Sequence, residues 1–285
     1  MINFNGLLTQ REQLKLTLHN RAFRFGDSLF EEIRIVGETI LFWESHYFRL
    51  MAGMRLLRMQ IPIHFDMEFL ETEILKTCAF RKGEAHLIRL TICRKDNKNL
   101  LTKDQSVDFY IETTDETEAA FKLFEGRFEV DLYKDFYENT SLLSTIETSS
   151  NLIPILSKIF ADENNLDECL ILNANKNVIG ASVGNLFLVK GYSVLTPPVE
   201  DGCKKGILRN EIIKLLKKSA LYQLEETSIS PFELQSGDEL FLAHITFGII
   251  PISKYRKKEY TRQTADYILE NLNLSIREIA MGKTT

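Results

Sequence analysis

The sequence predicts a protein of mixed α and β structure with two domains. Its 285 residues exceed the usual length of one domain, about 100–150 residues. Segments with helical spacing of apolar residues alternate with extended segments along the whole chain, and there are no internal repeats or low-complexity linkers. A charged stretch at about 115–126 is the best linker candidate. We therefore place a smaller α/β domain at 1–118 and a larger domain at 119–285.

The first part of the chain contains one clear helix and three clear strands. The segment 44–59 is predicted to be a helix because apolar residues recur at helical spacing, namely Phe48, Leu50, Met51, Met54 and Leu57. Extended segments follow at 86–94, 107–114 and 127–133, where β-branched and aromatic residues are frequent. These elements predict mixed structure on both sides of the charged stretch.

The second part of the chain continues in the same way. A helix is predicted at about 151–164, followed by two strand-like runs around the asparagine-rich turn of DECLILNANKNVIGAS. The segment NLFLVKGYSVLTPP is predicted to be a hairpin that turns at Gly191, and a helix at 207–222 follows Gly206. The chain closes with a helix from about Gln263 to Ala280.

Composition and charge exclude some classes of partner. The formal net charge is −5, with 35 Lys and Arg against 40 Asp and Glu, which argues against a nucleic-acid-binding surface. The short basic segment at 254–260 is interpreted as solvated surface. The longest apolar-rich stretch, 240–252, is shorter than the ~20 residues of a membrane-spanning helix. We therefore expect neither nucleic acid nor a membrane as a partner.

The cysteines and histidines show no spacing typical of a metal site. Cys78, Cys93, Cys169 and Cys203 lie far apart without a CxxC pair, and the histidines form no HxxxH pair. Neither a metal site nor a disulfide framework is predicted. The first residues, MINFNGLLTQ, lack the charged and apolar regions of a secretory signal. A reducing, cytoplasmic setting is therefore expected.

Five sequence words occur together in an order that resembles a known family. They are NRAFRFGDSLFEEIRI (20–35), ESHYFRL (44–50), NLFLVKGYSVLTPP (185–198), KGILRNEII (205–213) and DELFLAHITFGIIPI (238–252). They resemble the signatures of class IV, fold-type IV pyridoxal-phosphate enzymes. These are the branched-chain and D-amino-acid aminotransferases and the aminodeoxychorismate lyases. Each word is weak alone, but the five in order span almost the whole chain.

The resemblance implies a fold, a cofactor and a partner. The fold is the two-domain fold-type IV architecture, whose larger domain is a pseudo-barrel of short strands flanked by helices. Pyridoxal phosphate is the cofactor that the resemblance implies, a second copy of the chain is the implied partner, and the ligand cleft is expected between the domains. The resemblance assigns cofactor binding to six residues: Arg49, Gly206, Ile207, Leu208, Ile245 and Thr246.

The chemistry of phosphate binding fits some of these assignments. A phosphate needs fixed positive charge and backbone N–H groups at a helix start, which Arg49 and Gly206 would supply. An exposed arginine on an amphipathic helix and an ordinary turn are the simpler alternatives. Leu208 replaces a threonine of the family, which predicts weaker phosphate binding. Arg89 resembles a strand arginine that holds the substrate carboxylate, and an ordinary arginine on an edge strand is the alternative.

Two groups that pyridoxal chemistry needs are missing from the matching positions. The cofactor requires a lysine that bonds to it covalently and an acidic group at its pyridine nitrogen. Glu147 stands at the lysine position, and no lysine occurs at 135–157. Gly180 stands at the acidic position, and no Asp or Glu occurs at 169–199. Covalent binding of the cofactor is therefore not expected.

The segment STIETSSNL (144–152) contains Glu147 and is open to three interpretations. It can start the following helix, with Ser149, Ser150 or Asn151 as the cap and a carboxylate near the positive helix end. Glu147 can instead bind an amine or hydroxyl of a ligand. It can also act as a general acid or base, if a reaction partner lies within hydrogen-bond distance.

Three functions follow from these observations. The first is an aminotransferase-like protein that lacks pyridoxal-phosphate catalysis and binds a small anionic ligand. The second is an active aminotransferase or aminodeoxychorismate lyase of amino-acid or folate-precursor metabolism. The third is a non-catalytic subunit that pairs with an active paralogue.

Overall fold

The computed structural model describes residues 1–79, 84–101 and 103–280, which form two compact units. The first unit consists of Met1–Ala119, Ile146–Ser150 and the last described residues from Ile279. The second unit consists of Ala120–Thr145 and Asn151–Glu278. The short segment Ile146–Ser150 therefore belongs to the first unit, although the chain on both sides of it belongs to the second.

The described residues of the first unit form a six-stranded antiparallel sheet with three helices. Its elements in chain order are β1 (Ile2–Phe4), β2 (Leu7–Thr9), α1 (Arg21–Phe25), β3 (Ser28–Val36), β4 (Thr39–Ile40), α2 (Trp43–Leu56), α3 (Met67–Cys78), β5 (Ala85–Arg94) and β6 (Val107–Thr117). The strand order is β2-β1-β6-β5-β3-β4, so β3 and β5 are neighbours near one side of the sheet.

Strand β3 places alternate side chains on opposite faces of this sheet. Leu29 and Ile33 are buried in the core with Leu50 and Met54 of α2. Burial of each such side chain contributes roughly 1.5–3 kcal/mol. Glu31 lies between the two apolar residues in the same alternation, so its carboxylate points toward α2. Packing of β3 on α2 therefore positions the charged groups described below.

In the part of the chain that the structure describes, the second unit contains two five-stranded sheets and four helices. Its elements are β7 (Glu129–Leu132), α4 (Leu152–Glu163), β8 (Glu168–Leu172), β9 (Val178–Ala181), β10 (Asn185–Lys190), β11 (Ser193–Thr196), α5 (Ile207–Lys218), β12 (Gln223–Glu226), α6 (Pro231–Ser236), β13 (Glu239–His244), β14 (Gly248–Ile252), β15 (Lys254–Tyr255), β16 (Lys258–Glu259) and α7 (Gln263–Ala280). The strand orders are β12-β11-β10-β13-β14 and β16-β15-β7-β8-β9.

Most of the predicted elements are confirmed, with differences at their ends. Three predicted helices are confirmed as α2, α4 and α7, and three predicted strands as β5, β6 and β7. The helix predicted at 207–222 is α5, but it ends at Lys218 and a strand follows. Ser219 ends it because its backbone is extended and its hydroxyl accepts the N–H of Leu221. Strand β6 continues to Thr117, into the stretch proposed as a linker.

All four cysteines are free and buried. Among the described residues, no group of three or more His, Cys, Asp or Glu side chains is placed to hold a metal ion. No helix in the described part of the chain is long and apolar enough to cross a bilayer.

Candidate functional site

The segment Ile146–Ser150 forms a short antiparallel ladder with the start of β3. The N–H of Phe30 donates to the carbonyl of Glu147 at 3.0 Å, and the N–H of Ser149 donates to the carbonyl of Ser28 at 3.2 Å. The hydroxyls of Ser28 and Ser149 are also hydrogen-bonded to each other. Position 147 is therefore fixed by backbone pairing within the first unit.

The hydroxyl-rich segment pairs with β3, and Asn151 does not cap α4 through its side chain. Asn151 occupies the N-cap position of α4, and its side chain makes no capping hydrogen bond. The hydroxyl of Ser149 is engaged with Ser28 instead. Asn151 is therefore the N-cap residue, as the cap interpretation allowed, but it makes no side-chain capping hydrogen bond. The segment around Glu147 pairs with β3 and extends the sheet of the first unit.

Arg49 is held by a buried carboxylate on β3. Its Nε lies 2.8 Å from Oε1 of Glu31 and its Nη2 lies 2.6 Å from Oε2. Nδ1 of His46 lies 2.6 Å from the same Oε2. His46 and Arg49 are three residues apart on α2, so both face β3. The guanidinium predicted to bind a phosphate is thus already engaged by two charge-assisted hydrogen bonds.

Carboxylates dominate the electrostatics around Arg49. Burial alone would raise the pKa of Glu31, but Arg49 and His46 outweigh it and hold that pKa below its ordinary value. Burial alone would lower the pKa of Arg49, but Glu31 and then Glu147 and Glu32 hold it above its ordinary value. The negative charge of Glu147 therefore acts on Arg49, and three carboxylates stabilise this one cation.

Arg89 lies on the other face of the sheet together with Glu147. Strand β5 lies between β6 and β3, so the alternative of an edge-strand arginine is wrong. The Arg89 guanidinium is 3.5 Å from the ring centroid of Phe30, and its Nη1 is 3.0 Å from Oε1 of Glu32. Because Phe30 is opposite Glu147 in the short ladder, and opposite residues share a face, these side chains lie on one face.

In the second unit, Gly180 lies where a side chain is disfavoured. It pairs with Ile171 in the β8–β9 ladder, and its φ of 155° belongs to a region that L-residues rarely adopt. A Cβ added at this position would lie 3.1 Å from the carbonyl oxygen of Gly184. The position predicted for an acidic partner of the pyridine nitrogen therefore has no side chain and little room for one.

The start of α5 leaves its first backbone N–H groups without a side-chain cap. Gly206 is the N-cap residue and makes no capping bond. Oδ1 of Asn185 would lie 1.9 Å from a Cβ at Gly206, and Nδ2 of Asn185 donates to the carbonyl of Lys204 at 2.8 Å. The side chains of Ile207 and Leu208 are buried, so they can offer a ligand only backbone groups.

Ile245 and Thr246 lie in the turn between β13 and β14, at the same end of the β10–β13 pair. Asn185 is opposite Ala243 in that pair, two residues before Ile245. The N–H of Thr246 lies 3.3 Å from Nδ1 of His244. The second unit therefore brings Gly180, the α5 start and this turn to the start of β10. The first unit places Arg49 on the α2 face of its sheet, and Arg89 and Glu147 on the other face.

Comparison with known proteins identifies the family of this chain. A family model described as Amino-transferase class IV matches residues 28–255. A probable branched-chain-amino-acid aminotransferase of Aquifex aeolicus (strain VF5) is 30% identical over 270 residues, which cover 87% of this chain and 82% of that protein. The chain therefore belongs to the class IV aminotransferase family.

Solved structures share the fold of the chain. The branched-chain aminotransferase of Thermoproteus uzoniensis, solved with norvaline, has a TM-score of 0.86 at 23% identity and covers 99% of this chain and 95% of its own. The branched-chain amino acid aminotransferase of Thermobaculum terrenum in its PLP form has a TM-score of 0.82 at 20% identity, with coverages of 99% and 94%. At these identities the likeness shows the fold-type IV fold, and the family includes proteins that bind pyridoxal phosphate.

Three residues of the two sites were not singled out from the sequence. Glu31 holds Arg49, His46 contacts Glu31, and Asn185 holds the loop before α5. The signal for His46 was its helical spacing from Arg49 inside the word ESHYFRL. No local signal pairs Glu31 with Arg49 or Asn185 with Gly206, because these contacts depend on how separate elements pack.

Proposed function

We propose that this class IV aminotransferase family member lacks pyridoxal-phosphate catalysis and binds a small anionic ligand. When bound, pyridoxal phosphate supplies an electron sink, and it depends on a lysine and on an acidic partner. The observation that carries the proposal concerns Glu147, which we assign to the lysine position. Its backbone is paired with β3, and the charge of its carboxylate acts on Arg49. The missing side chain at Gly180 supports it independently. These residues do not fit a covalently bound cofactor.

We assign the anionic ligand to the start of α5. The first N–H groups of this 12-residue helix have no side-chain cap and its first turn contains no acidic residue, so its positive end favours an anion. Arg49 is a poorer anion site, because Glu31 already occupies its guanidinium and Glu147 adds negative charge. Leu208 offers no hydroxyl at the α5 start, so the expected affinity for phosphate is modest.

The names of the relatives favour one alternative, an active aminotransferase or aminodeoxychorismate lyase. The Aquifex aeolicus relative is named as an aminotransferase and covers most of this chain. In that case another lysine of this chain would have to form the covalent bond to the cofactor. The further alternative, a non-catalytic subunit of an active paralogue, requires a second, lysine-bearing chain that co-purifies with this one.

Substitution of Glu147 tests the lost chemistry. Wild type and Glu147→Gln should develop no visible Schiff-base absorbance with added pyridoxal phosphate. Reduction with borohydride should leave no lysine covalently labelled with the cofactor. Glu147→Lys should gain both signals, because Arg49 disfavours a second cation nearby and so lowers the pKa of the new amine. A labelled lysine in wild type would establish the active-enzyme alternative. A folded Glu147→Lys variant that stays colourless would overturn the assignment of position 147.

The anion site has its own test with inorganic phosphate as the probe. Phosphate should slow amide hydrogen exchange at the first turn of α5 in wild type. Arg49→Gln should leave this protection nearly unchanged, because we place the ion on backbone N–H groups of the second unit. Loss of the protection in Arg49→Gln, or no protection in wild type, would contradict the assignment to α5.

A further inference from the structure

Arg209 is a buried cation in the first turn of α5. It is the third residue of this helix, and its side chain is 2% exposed. The start of a helix carries a partial positive charge, so a cation is unfavourable there, and burial of a charged group adds to the cost. The turn 207–210 contains no acidic residue that would offset this charge. The position of Arg209 therefore requires an explanation.

The guanidinium of Arg209 reaches back to the turn that follows β11. Its Nη2 donates to the carbonyl of Pro197 at 2.8 Å and lies 2.9 Å from Oε2 of Glu226 on β12. Its Nε is also buried and has no hydrogen-bond partner among the residues that the structure describes. Arg209 therefore joins α5, the turn at Pro197 and β12.

This guanidinium lies at the end of the sheet where α5 starts. Pro197 follows Thr196, the last residue of β11, whose hydroxyl donates to the carbonyl of Leu186 near the start of β10. Asn185, the residue before Leu186, is in contact with Gly206 at the start of α5. The group that binds Pro197 is therefore close to the first backbone N–H groups of α5.

The positive charge of Arg209 is only partly compensated. Glu226 is 37% exposed, and its Oε1 also lies 3.9 Å from Nζ of Lys217. Water and salt screen the charge of such a carboxylate. Burial raises the pKa of the Cys203 thiol to about 11; of the charges that act on this thiol, Arg209 has the largest effect and opposes the rise. The charge of Arg209 thus acts on the loop before α5.

We infer that Arg209 is the positioning residue of the anion site at the start of α5 and the source of much of its positive charge. This inference rests on the proposed function, because it concerns the same site. The hydrogen bond to Pro197 holds the turn that leads to α5, and the charge adds to the positive end of the helix. The anion is stabilised without contact with the guanidinium. Glu226 opposes this effect, since its carboxylate lies against Arg209.

The charge of Arg209 also defines the class of ligand. The Coulomb energy between a fixed cation and an anion is proportional to the charge of the anion. A small dianion, such as inorganic phosphate or sulfate, should therefore bind more tightly than a monoanion of similar size. Arg49 does not provide this selection, because Glu31, Glu147 and Glu32 already stabilise its charge.

Phosphate titration, followed by amide hydrogen exchange at the first turn of α5, tests this role. Glu226→Gln keeps an acceptor oxygen for Arg209 but removes the negative charge, so phosphate should bind about threefold more tightly or better. If Arg209 only held the turn in place, this variant would bind phosphate equally or less tightly. Glu225→Gln is the matched control: Glu225 is the preceding, exposed residue of β12 and points to the other face, so its substitution should leave the affinity unchanged.

Substitution of Arg209 separates its charge from its place in the fold. Arg209→Lys keeps the charge and should retain most of the affinity, whereas Arg209→Met should weaken phosphate binding at least about tenfold. Circular dichroism shows whether each variant folds, and Glu226→Gln decides the matter if Arg209→Met does not. The gain in Glu226→Gln should also be larger for sulfate, a dianion, than for nitrate, a monoanion.

The possible outcomes separate the two proposals. Unchanged or weaker phosphate binding in Glu226→Gln, an equal gain for sulfate and nitrate, or wild-type affinity in a folded Arg209→Met variant would overturn the role of Arg209 alone. An equal gain in Glu225→Gln would do so as well, because it would show a general effect of net charge. A wild type that binds no phosphate would contradict the anion site itself, and this inference with it.

Discussion

Replacing Glu31 with glutamine should destabilise the first unit by about 3–5 kcal/mol at neutral pH, the usual result of removing one partner from a buried ion pair. The carboxylate of Glu31 is 3% exposed, accepts two hydrogen bonds from Arg49 and lies 2.6 Å from His46. Glutamine keeps one acceptor oxygen but turns an NH₂ donor toward donor groups. Arg49 would then be a buried cation without its main counter-ion.

Urea unfolding monitored by tryptophan fluorescence measures the free energy of unfolding of the first unit, which contains Glu31. Trp43 is the single tryptophan and lies buried in the same helix as Arg49. Glu32→Gln is the matched control, because Glu32 is the next residue on β3 and pairs with Arg89 at a position about one-third exposed. Glu32→Gln should lower the free energy of unfolding by only about 0–1 kcal/mol.

The loss of stability in Glu31→Gln, relative to wild type, should decrease as the pH falls. The pKa of Glu31 is held below its ordinary value of 4.5, so the ionised carboxylate stabilises the folded state. This stabilisation is present above about pH 4.5 and is lost as the pH falls through the lowered pKa. The difference between wild type and Glu31→Gln should therefore shrink on acidification. A neutral-pH difference below about 1 kcal/mol, or one that does not change with pH, would refute this account of the pair.

Two further substitutions test the second unit. Gly206→Ala should lower the free energy of unfolding by about 1–3 kcal/mol, because the new Cβ displaces Oδ1 of Asn185. In an Asn185→Ala background this loss should nearly vanish. Equal losses in both backgrounds would contradict the contact. Gly180→Glu should destabilise the protein by about 1–3 kcal/mol through its positive φ, as thermal unfolding would show. A Gly180→Glu variant as stable as wild type would mean that the backbone at residue 180 accepts a side chain without strain.

The elements that could be predicted from the sequence are the long ones with a clear period. Helix α7 was predicted with its full length, and in the structure Ile268, Leu272 and Ile276 are buried at helical spacing along it. Strands of two or three residues, such as β1 and β15, are too short to show alternation. The end of α5 was missed because a single hydroxyl, that of Ser219, turns the chain.

The residues of the candidate sites could be predicted better than their contacts. Arg49, Arg89 and Glu147 followed from the sequence words and from counting residue types. The pairing of Ile146–Ser150 with β3 could not be predicted, because a ladder between segments so far apart in sequence leaves no local pattern. The ion pair between Glu31 and Arg49 could not be predicted either, because it depends on how β3 packs against α2. This ion pair makes the Arg49 guanidinium a weaker site for an anion.

The two positions at which we propose that catalytic groups are lost, Glu147 and Gly180, differ in how readily the backbone accepts those groups. Position 147 is paired like a strand residue and its side chain is partly exposed, so a lysine can be placed there without strain. Position 180 has a positive φ and faces the carbonyl of Gly184, so an acidic side chain there first requires a change of the backbone after β9. An amine without the acidic partner gives bound cofactor but a weak electron sink. On our proposal, therefore, one substitution restores covalent binding, whereas catalysis also requires that the connection from β9 to β10 be rebuilt.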